Sequence, residues 1–189
     1  FAEQSFFMTE FFASHGFVVV APDHAGNTIA DGGFTAETFQ ARPLDISAVL
    51  DHVETLPQGH LLEGLFSDRI VMAGHSFGGY TTIANAGASF EVDTFLDECE
   101  LGGNRIDAFC DYLELPGVEE RFRAGFGDER IDAAIPQAPF GGVVFAEGMA
   151  DAEIPILLMT AALDATLPPQ QDGEPLWEGM DGPNDLRVD

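Results

Sequence analysis

The sequence predicts an α/β fold, in which helices flank a mostly parallel β-sheet, and three observations favour it. Short apolar runs typical of strands buried on both faces alternate with amphipathic helical segments. One such run leads directly into residues 74–78, which read Gly-His-Ser-Phe-Gly, and a helix-compatible stretch follows as far as Gly87. The 189 residues, 46% of them hydrophobic, suffice for one domain with a full core and exclude a disordered chain.

The N-terminal third is predicted to contain a helix, a strand and a second helix. Apolar side chains recur at helical spacing over residues 7–12, and Gly16 would cap the end of that helix. Residues 17–21 form a continuous apolar run, which is typical of a strand buried in a parallel sheet. The second helix has Pro43 near its first turn and ends before Pro57. Its apolar stripe consists of Ile46, Val49, Leu50, Val53 and Leu56.

Residues 74–78 are predicted to form a nucleophile elbow, the sharp strand-to-helix turn that presents a serine hydroxyl above a sheet edge. The strand that precedes it is predicted at residues 69–73. Gly74 and Gly78 are expected where a Cβ would strike the neighbouring strand or helix, and Ser76 is expected to have a strained backbone conformation. The alternative is an ordinary glycine-rich turn, since Gly-x-Ser-x-Gly alone is a common pattern.

The rest of the chain is predicted to hold two further strands, at residues 131–135 and 154–159, and an insertion at residues 88–130. The insertion is acidic, contains short amphipathic pieces such as the one that includes Ile106, and would form a cap or lid. Residues 168–189 are rich in proline, glycine and acid, and no element is assigned to them. Five phenylalanines of the insertion would either line an acyl-binding surface or pack the insertion onto the domain. They are Phe90, Phe95, Phe109, Phe122 and Phe126.

The charge balance limits the partners of the protein. Only 7 basic residues stand against 33 acidic ones, and the formal net charge is −26 at pH 7. Phosphate backbones and anionic membrane surfaces would repel such a protein, so no nucleic-acid partner is expected. We interpret the acidic residues as a solvated shell rather than a site for a cationic partner. No apolar run approaches the roughly 20 residues that span a bilayer, so no transmembrane segment is expected either.

The two cysteines, Cys99 and Cys110, flank a short stretch that contains Gly102, Gly103 and Asn104. This arrangement favours a local disulfide, which would indicate an oxidising compartment, outside the cytoplasm or secreted. The alternative is two unrelated buried thiols. No histidine cluster accompanies the cysteines, so we expect no zinc site.

Four stretches carry a resemblance to a known family, namely residues 15–24, 42–46, 68–79 and 154–164. They resemble the α/β-hydrolase superfamily, and within it bacterial predicted dienelactone hydrolases, platelet-activating-factor acetylhydrolases and cutinase-like esterases. The resemblance implies the α/β-hydrolase fold, and the elbow and the strand before Asp164 are its specific parts. Dienelactone hydrolases proper use a cysteine nucleophile, so the serine at position 76 counts against that substrate.

The resemblance implies a serine hydrolase that needs neither a cofactor nor a metal. Ser76 would be the nucleophile, a histidine would take its proton, and Asp164 would orient that histidine. The backbone N–H of Phe77 would donate to the oxyanion. Asp151 and Asp172 are rival carboxylates, but the first precedes the strand that leads to Asp164 and the second lies deep in the C-terminal tail.

The histidine of the triad has no candidate in the expected place. In this fold it follows the acid along the chain, whereas all five histidines precede Asp164. His75 adjoins the nucleophile and would point away from it, and His24 is expected to shape a loop. We therefore expect the catalytic histidine beyond residue 189, and a second oxyanion donor before Phe1. The sequence then reads as the interior of a longer hydrolase, and this piece alone is expected to be inactive.

The leading functional prediction is a serine carboxylic-ester hydrolase acting on a small-molecule or lipid ester, with short-acyl phospholipids and polyesters as candidates. An acyl-peptide or peptide hydrolase would form the same acyl-enzyme, so the elbow does not separate these two activities. A non-catalytic binding domain with a relic elbow is the third alternative, which would be favoured if no histidine followed Asp164. The sequence leaves the acyl-chain length and the oligomeric state open.

Overall fold

The structure is a computed structural model, and it describes residues 2–31, 33, 35–101, 107–182 and 185–189. The chain divides into two compact units, Phe1–Arg69 and Ile70–Asp189. Among the described residues, every strand belongs to the second unit, while the first unit contains helices and loops only.

The first helix of the chain ends where the sequence predicts. Helix α1 (Phe6–Ser14) follows a 3-10 turn at Ala2–Ser5, and His15 is its C-cap. Gly16 comes next with a φ of 89°, a left-handed conformation that glycine adopts without steric cost. No residue of α1 is buried, so its local cap, rather than packing of its phenylalanines, defines its end.

The predicted strand at residues 17–21 is wrong. These residues form no strand, and the four side chains from Phe17 to Val20 are between 36% and 54% exposed. A strand is stable only when its backbone N–H and C=O groups pair with a neighbour. The described residues of the first unit contain no other strand, so this apolar run has no pairing partner within its unit.

Helix α2 (Thr38–Glu54) begins earlier than predicted, so that Pro43 lies inside the helix rather than in its first turn. A 3-10 turn at Ile29–Asp31 precedes it. The predicted apolar stripe is correct in its period, because its side chains are partly buried while Asp51 and His52 are exposed. The fully buried residues of α2 are Thr38, Phe39, Arg42 and Pro43.

The second unit contains a four-stranded parallel sheet with the order β1-β2-β3-β4, which confirms the predicted α/β class. The first three strands begin two or three residues later than predicted. Because all strands run the same way, their carboxyl ends meet at one edge, where open α/β sheets place their sites. The strands are β1 (Val71–His75), β2 (Ala133–Gln137), β3 (Leu157–Met159) and β4 (Leu186–Val188).

Helix α3 (Phe77–Asn85) follows β1 directly, and each of its residues from Gly79 to Asn85 is buried. A 3-10 turn at Ala146–Asp151 lies before β3. No helix in the described part of the chain is long and apolar enough to cross a membrane. The other helices of the second unit that the structure describes are α4 (Val92–Leu101), α5 (Asp107–Leu113), α6 (Val118–Arg123), α7 (Gly142–Phe145) and α8 (Pro169–Gly179).

The predicted insertion at residues 88–130 folds into α4, α5 and α6 around a cluster of phenylalanines. The ring of Phe90 lies 4.8 Å from that of Phe122 and 5.7 Å from that of Phe109, centroid to centroid, in edge-to-face contacts. All five phenylalanines of the insertion are buried, so they pack the insertion, which was the second of the two alternatives. Ile106 lies outside the described residues.

The three helices of the insertion are also joined covalently and by charge. Cys99 in α4 and Cys110 in α5 form a disulfide with their Cα atoms 5.9 Å apart, which confirms the favoured alternative. Residues 102–106, with the glycines between the cysteines, lie outside the described residues. Arg123 of α6 donates two hydrogen bonds to the carboxylate of Asp93 in α4. The disulfide and this ion pair thus hold α5 and α6 to the same helix.

The C-terminal tail holds a helix and a strand, although its sequence predicts neither. Helix α8 has Pro169 at its first position, where the fixed φ of proline suits a helix and its missing N–H costs nothing. Pro175 inside α8 conceals the helical pattern. Strand β4 pairs with β3, and Asp185 just before it accepts a hydrogen bond from the Ile156 N–H at 3.0 Å. The sheet therefore extends into a segment whose composition resembles a loop.

Candidate active site

Ser76 lies in the turn between β1 and α3, at the carboxyl edge of the sheet. Its φ of 57° and ψ of −119° lie in a sparsely populated region that costs a non-glycine residue about 1–3 kcal/mol. Its N–H donates to the Gln137 carbonyl at 2.9 Å, and its own carbonyl accepts from Gly79 at 2.8 Å. The backbone around Ser76 thus has the strand–turn–helix geometry that the elbow prediction requires.

Two glycines give this turn the space it needs. A Cβ on Gly74 would lie 2.2 Å from the carbonyl oxygen of Gly78 and 2.8 Å from Thr82 Oγ1, so β1 passes α3 too closely for a side chain. This is the role predicted for Gly74. A Cβ on Gly79 would lie 2.6 Å from Pro139 Cβ, a close approach that the sequence alone does not indicate. It arises because the residues after β2 pack against the start of α3.

A segment after β2, residues 138–141, supports Ser76 from the neighbouring strand. The N–H of Phe140 donates to the carbonyl oxygen of Ser76 at 3.2 Å. Ala138 has a φ of 38°, in the left-handed region, and its N–H donates to the Met159 carbonyl at 2.7 Å. The sequence alone predicts no role for this segment. A proline followed by Phe-Gly-Gly, beginning four residues after the strand predicted at residues 131–135, is the signal that marks such a turn.

Phe77 is the first residue of α3. The first N–H groups of a helix lack intrahelical partners and carry the positive end of its dipole, which favours a negative charge nearby. The ring of Phe77 stacks on the buried Tyr80, with centroids 5.1 Å apart. The residue predicted to supply the oxyanion donor is therefore held at the N-terminus of a buried helix.

Asp164 lies in the loop between β3 and α8, and it is partly exposed. Its Oδ1 accepts hydrogen bonds from the backbone N–H groups of Thr166 at 2.8 Å and Leu167 at 3.0 Å. These bonds lower the pKa of the Asp164 carboxyl, and the bond from Leu167 has the largest effect. The charge of the nearby His75 lowers it further. The backbone of its own loop therefore favours the ionised form of Asp164. The structure brings both predicted catalytic positions to the same sheet edge.

The rival carboxylates occupy different surroundings. Asp151 is exposed at the end of the 3-10 turn before β3, whereas Asp172 is buried in α8. Across the described ranges, no group of three or more histidine, cysteine, aspartate or glutamate side chains is placed to hold a metal ion.

His24, in the first unit, forms a polar pair within that unit. Its Nδ1 lies 2.9 Å from Oδ2 of Asp45 in α2, and its side chain is buried. Burial, and then the positive charge of Arg42, lower the pKa of His24, while Asp45 opposes that shift. The contact agrees with the expectation that His24 shapes a loop.

A serine with a strained backbone between a parallel strand and a helix, with an aspartate after a later strand, is the arrangement typical of the α/β-hydrolase class. A family model described as the alpha/beta hydrolase family matches residues 2–187. The chain therefore belongs to the alpha/beta hydrolase family, whose members are generally hydrolases. No curated protein matches the sequence significantly.

Proposed function

We propose that the protein is a serine carboxylic-ester hydrolase in which Ser76 forms an acyl-enzyme. The observation that carries the proposal is the left-handed φ of 57° at Ser76, in a turn with glycines on both sides. Such a conformation persists only where the surrounding structure enforces it, and such positions cluster at functional sites. The elbow geometry exposes a serine hydroxyl at the carboxyl edge of the sheet, which is what acyl transfer needs.

The proposed reaction has two halves. Ser76 Oγ attacks the ester carbonyl, and its proton passes through a histidine to the departing alcohol. Water then attacks the acyl-enzyme, which releases the acid and restores the serine. The Phe77 N–H stabilises the oxyanion, and one such donor lowers the barrier by about 3–4 kcal/mol. Asp164, kept ionised by two backbone N–H groups, orients the histidine and stabilises its charged form.

The proposed order places the histidine of the triad after Asp164 along the chain. His75 is the one histidine in the sequence of the second unit, and it precedes the nucleophile on β1. Adjacent residues of the elbow direct their side chains apart, so His75 does not act as the base. This order, with serine first, acid second and histidine last, is the one that the alpha/beta hydrolase fold uses.

The substrate class rests on the finer resemblance to dienelactone-hydrolase-like, platelet-activating-factor-acetylhydrolase-like and cutinase-like enzymes. It favours esters with short acyl chains, including phospholipids and polyesters. The net charge of −26 favours neutral or zwitterionic esters over anionic ones, because the field of the protein repels anions.

The test uses the complete protein, a fluorophosphonate probe and two chromogenic substrates. Wild-type protein should be labelled at one site, and Ser76→Ala should abolish labelling and lower p-nitrophenyl acetate turnover by at least a thousandfold. Ser89→Ala, which removes an exposed serine from the same unit, is the matched control and should retain both probe labelling and ester turnover. Labelling that survives Ser76→Ala would refute the assignment. Faster cleavage of an aminoacyl p-nitroanilide than of the ester would favour the peptide-hydrolase alternative.

A further inference from the structure

Asp172 is a buried carboxylate to which the proposed reaction gives no role. It lies in α8 and is 1% exposed. Charged side chains are almost never fully buried unless they are paired or hydrogen-bonded, because an uncompensated buried charge is costly. Its Oδ1 accepts a hydrogen bond from the backbone N–H of Gly141 at 3.3 Å. The buried carboxylate thus binds the backbone of the segment that supports Ser76.

The hydrogen bond to Asp172 completes the anchoring of residues 138–141. Each backbone N–H of this segment donates to a different element: Ala138 to the end of β3, Phe140 to Ser76, and Gly141 to Asp172. Pro139 has no N–H to donate. A shift of Gly141 would therefore be transmitted to Ser76 through one intervening residue.

The same helix is tied to the Asp164 loop. The Asp172 N–H donates to the Pro168 carbonyl at 3.0 Å, and the preceding Leu167 N–H donates to Asp164 Oδ1. The packing at this end of α8 leaves little room for adjustment. A Cβ on Gly142 would lie 2.0 Å from the Gln171 carbonyl oxygen.

We propose that Asp172 is a positioning residue that fixes the 138–141 segment against the first turns of α8, and thereby sets the placement of Ser76 relative to Asp164. The inference rests on the proposed function, in which Ser76 and Asp164 belong to one triad. Misplacing reacting groups by about 1 Å costs on the order of a hundredfold in rate. Loss of the Asp172 acceptor should therefore act on the chemical step more than on substrate binding.

The kinetic test compares Asp172→Ala with Asp172→Asn in the complete protein, using p-nitrophenyl acetate and fluorophosphonate labelling. Asp172→Ala removes the acceptor and should lower kcat about 10- to 100-fold with little change in KM. Asp172→Asn keeps a carbonyl acceptor for Gly141 and should stay within about fivefold of the wild type. Glu178→Ala, an exposed acid on the same helix, controls for lost charge and should have no effect. Equal losses of kcat in the alanine and asparagine variants would overturn the proposal.

A second readout is independent of activity. Amide hydrogen exchange should accelerate at Gly141 and Phe140 in Asp172→Ala, while Ala138, whose bond goes to β3, stays protected. If the alanine variant does not fold, the same exchange measurement is made on Asp172→Leu, which fills the space without supplying a hydrogen-bond acceptor. Unchanged protection of Phe140 would refute the positioning role. If wild-type Ser76 is not labelled, the proposed function fails, and the exchange result at Phe140 still decides whether Asp172 positions the segment.

Discussion

At Ser76 the backbone keeps a left-handed conformation because several contacts act together. The cost of about 1–3 kcal/mol exceeds the net contribution of one hydrogen bond, about 1 kcal/mol. Gln137, Gly79 and Phe140 together supply three bonds to its N–H and carbonyl groups. The absence of a side chain at Gly74 lets β1 and α3 approach closely enough to form this turn.

The role of Asp164 is testable by a single isosteric change. Asp164→Asn in the complete protein should lower kcat by about 10³–10⁴-fold, because an amide would select the wrong tautomer of the catalytic histidine. The carbonyl of asparagine still accepts from Thr166 and Leu167, so the loop and the melting temperature should be little changed. Steady-state kinetics and thermal unfolding measure the two effects.

Asp151→Asn is the matched control for Asp164, since it neutralises the exposed rival carboxylate before β3. It should leave kcat unchanged. A loss of less than about tenfold in Asp164→Asn would transfer the role of the acid to another residue.

His24 should make the stability of the protein depend on pH. Burial and Arg42 lower its pKa, so the unfolded chain binds a proton more readily than the folded chain. Stability that is present above the ordinary histidine pKa of about 6.5 is then lost as the pH falls toward the lowered value. Urea unfolding from pH 8 to pH 5 should show a steeper loss in the wild type than in His24→Gln. Identical slopes would show that His24 has the same pKa in both states.

At the scale of the elements, the insertion formed by α4, α5 and α6 is held together by a disulfide and an ion pair as well as by packing. Its core is the edge-to-face cluster around Phe90, and the helices have between 6 and 10 residues each. Isolated helices this short are marginal in water, since nucleation is costly. The disulfide and the Arg123–Asp93 pair therefore add to the stability of the insertion. The exposed ion pair alone contributes little.

The disulfide should stabilise the insertion measurably. Replacing both Cys99 and Cys110 with serine should lower the free energy of unfolding by about 2–4 kcal/mol, because the unfolded chain regains conformational freedom. Urea unfolding followed by near-ultraviolet circular dichroism measures the change. The chain has only these two cysteines, so dithiothreitol should reproduce the loss in the wild type and have no effect on the double variant. Equal midpoints for the oxidised wild type and the double variant would contradict the prediction.

For the whole molecule, the dominant electrostatic feature is the excess of acid. Seven basic residues leave a net charge of −26, and a charge this large destabilises a compact state through self-repulsion. Salt shortens the range of that repulsion from about 10 Å at 0.1 M to about 3 Å at 1 M. Partly buried ion pairs such as Arg130–Asp128 are screened much less.

The melting temperature should therefore rise with salt. Raising NaCl from 0.05 M to 1 M should relieve about 1–2 kcal/mol of repulsion, which corresponds to roughly 2–8 °C. Differential scanning calorimetry measures the shift. KCl at equal ionic strength should act equally, because screening depends on ionic strength rather than on the cation.

A charge-reversal variant tests the cause of this salt effect. Replacing the exposed Asp111, Glu114 and Glu178 with lysine changes the net charge by +2 each, from −26 to −20. The variant should melt higher than the wild type at low salt and respond less to NaCl. An unchanged response to salt would exclude self-repulsion as the source.

Much of the fold was predictable from local signals. The elbow depends on a strand, two glycines and a serine that are neighbours in the chain, and β1, β2 and β3 are short apolar runs with clear ends. Helix α1 ends just before Gly16, because glycine adopts the left-handed conformation that closes a helix without steric cost. The burial of Asp172 and the close approach of Gly79 to Pro139 had no such signal, because each depends on residues distant in sequence.

The sequence by itself determined the α/β class, the serine in a sharp turn and the acidic surface, since these follow from composition and from sterics within a few residues. Only the tertiary structure decided that residues 17–21 form no strand, that the acidic tail supplies α8 and β4, and that Ser76 and Asp164 share one sheet edge. The physical reason is that strand pairing and burial are contacts between distant segments. An apolar run becomes a strand only when another backbone completes its hydrogen bonds.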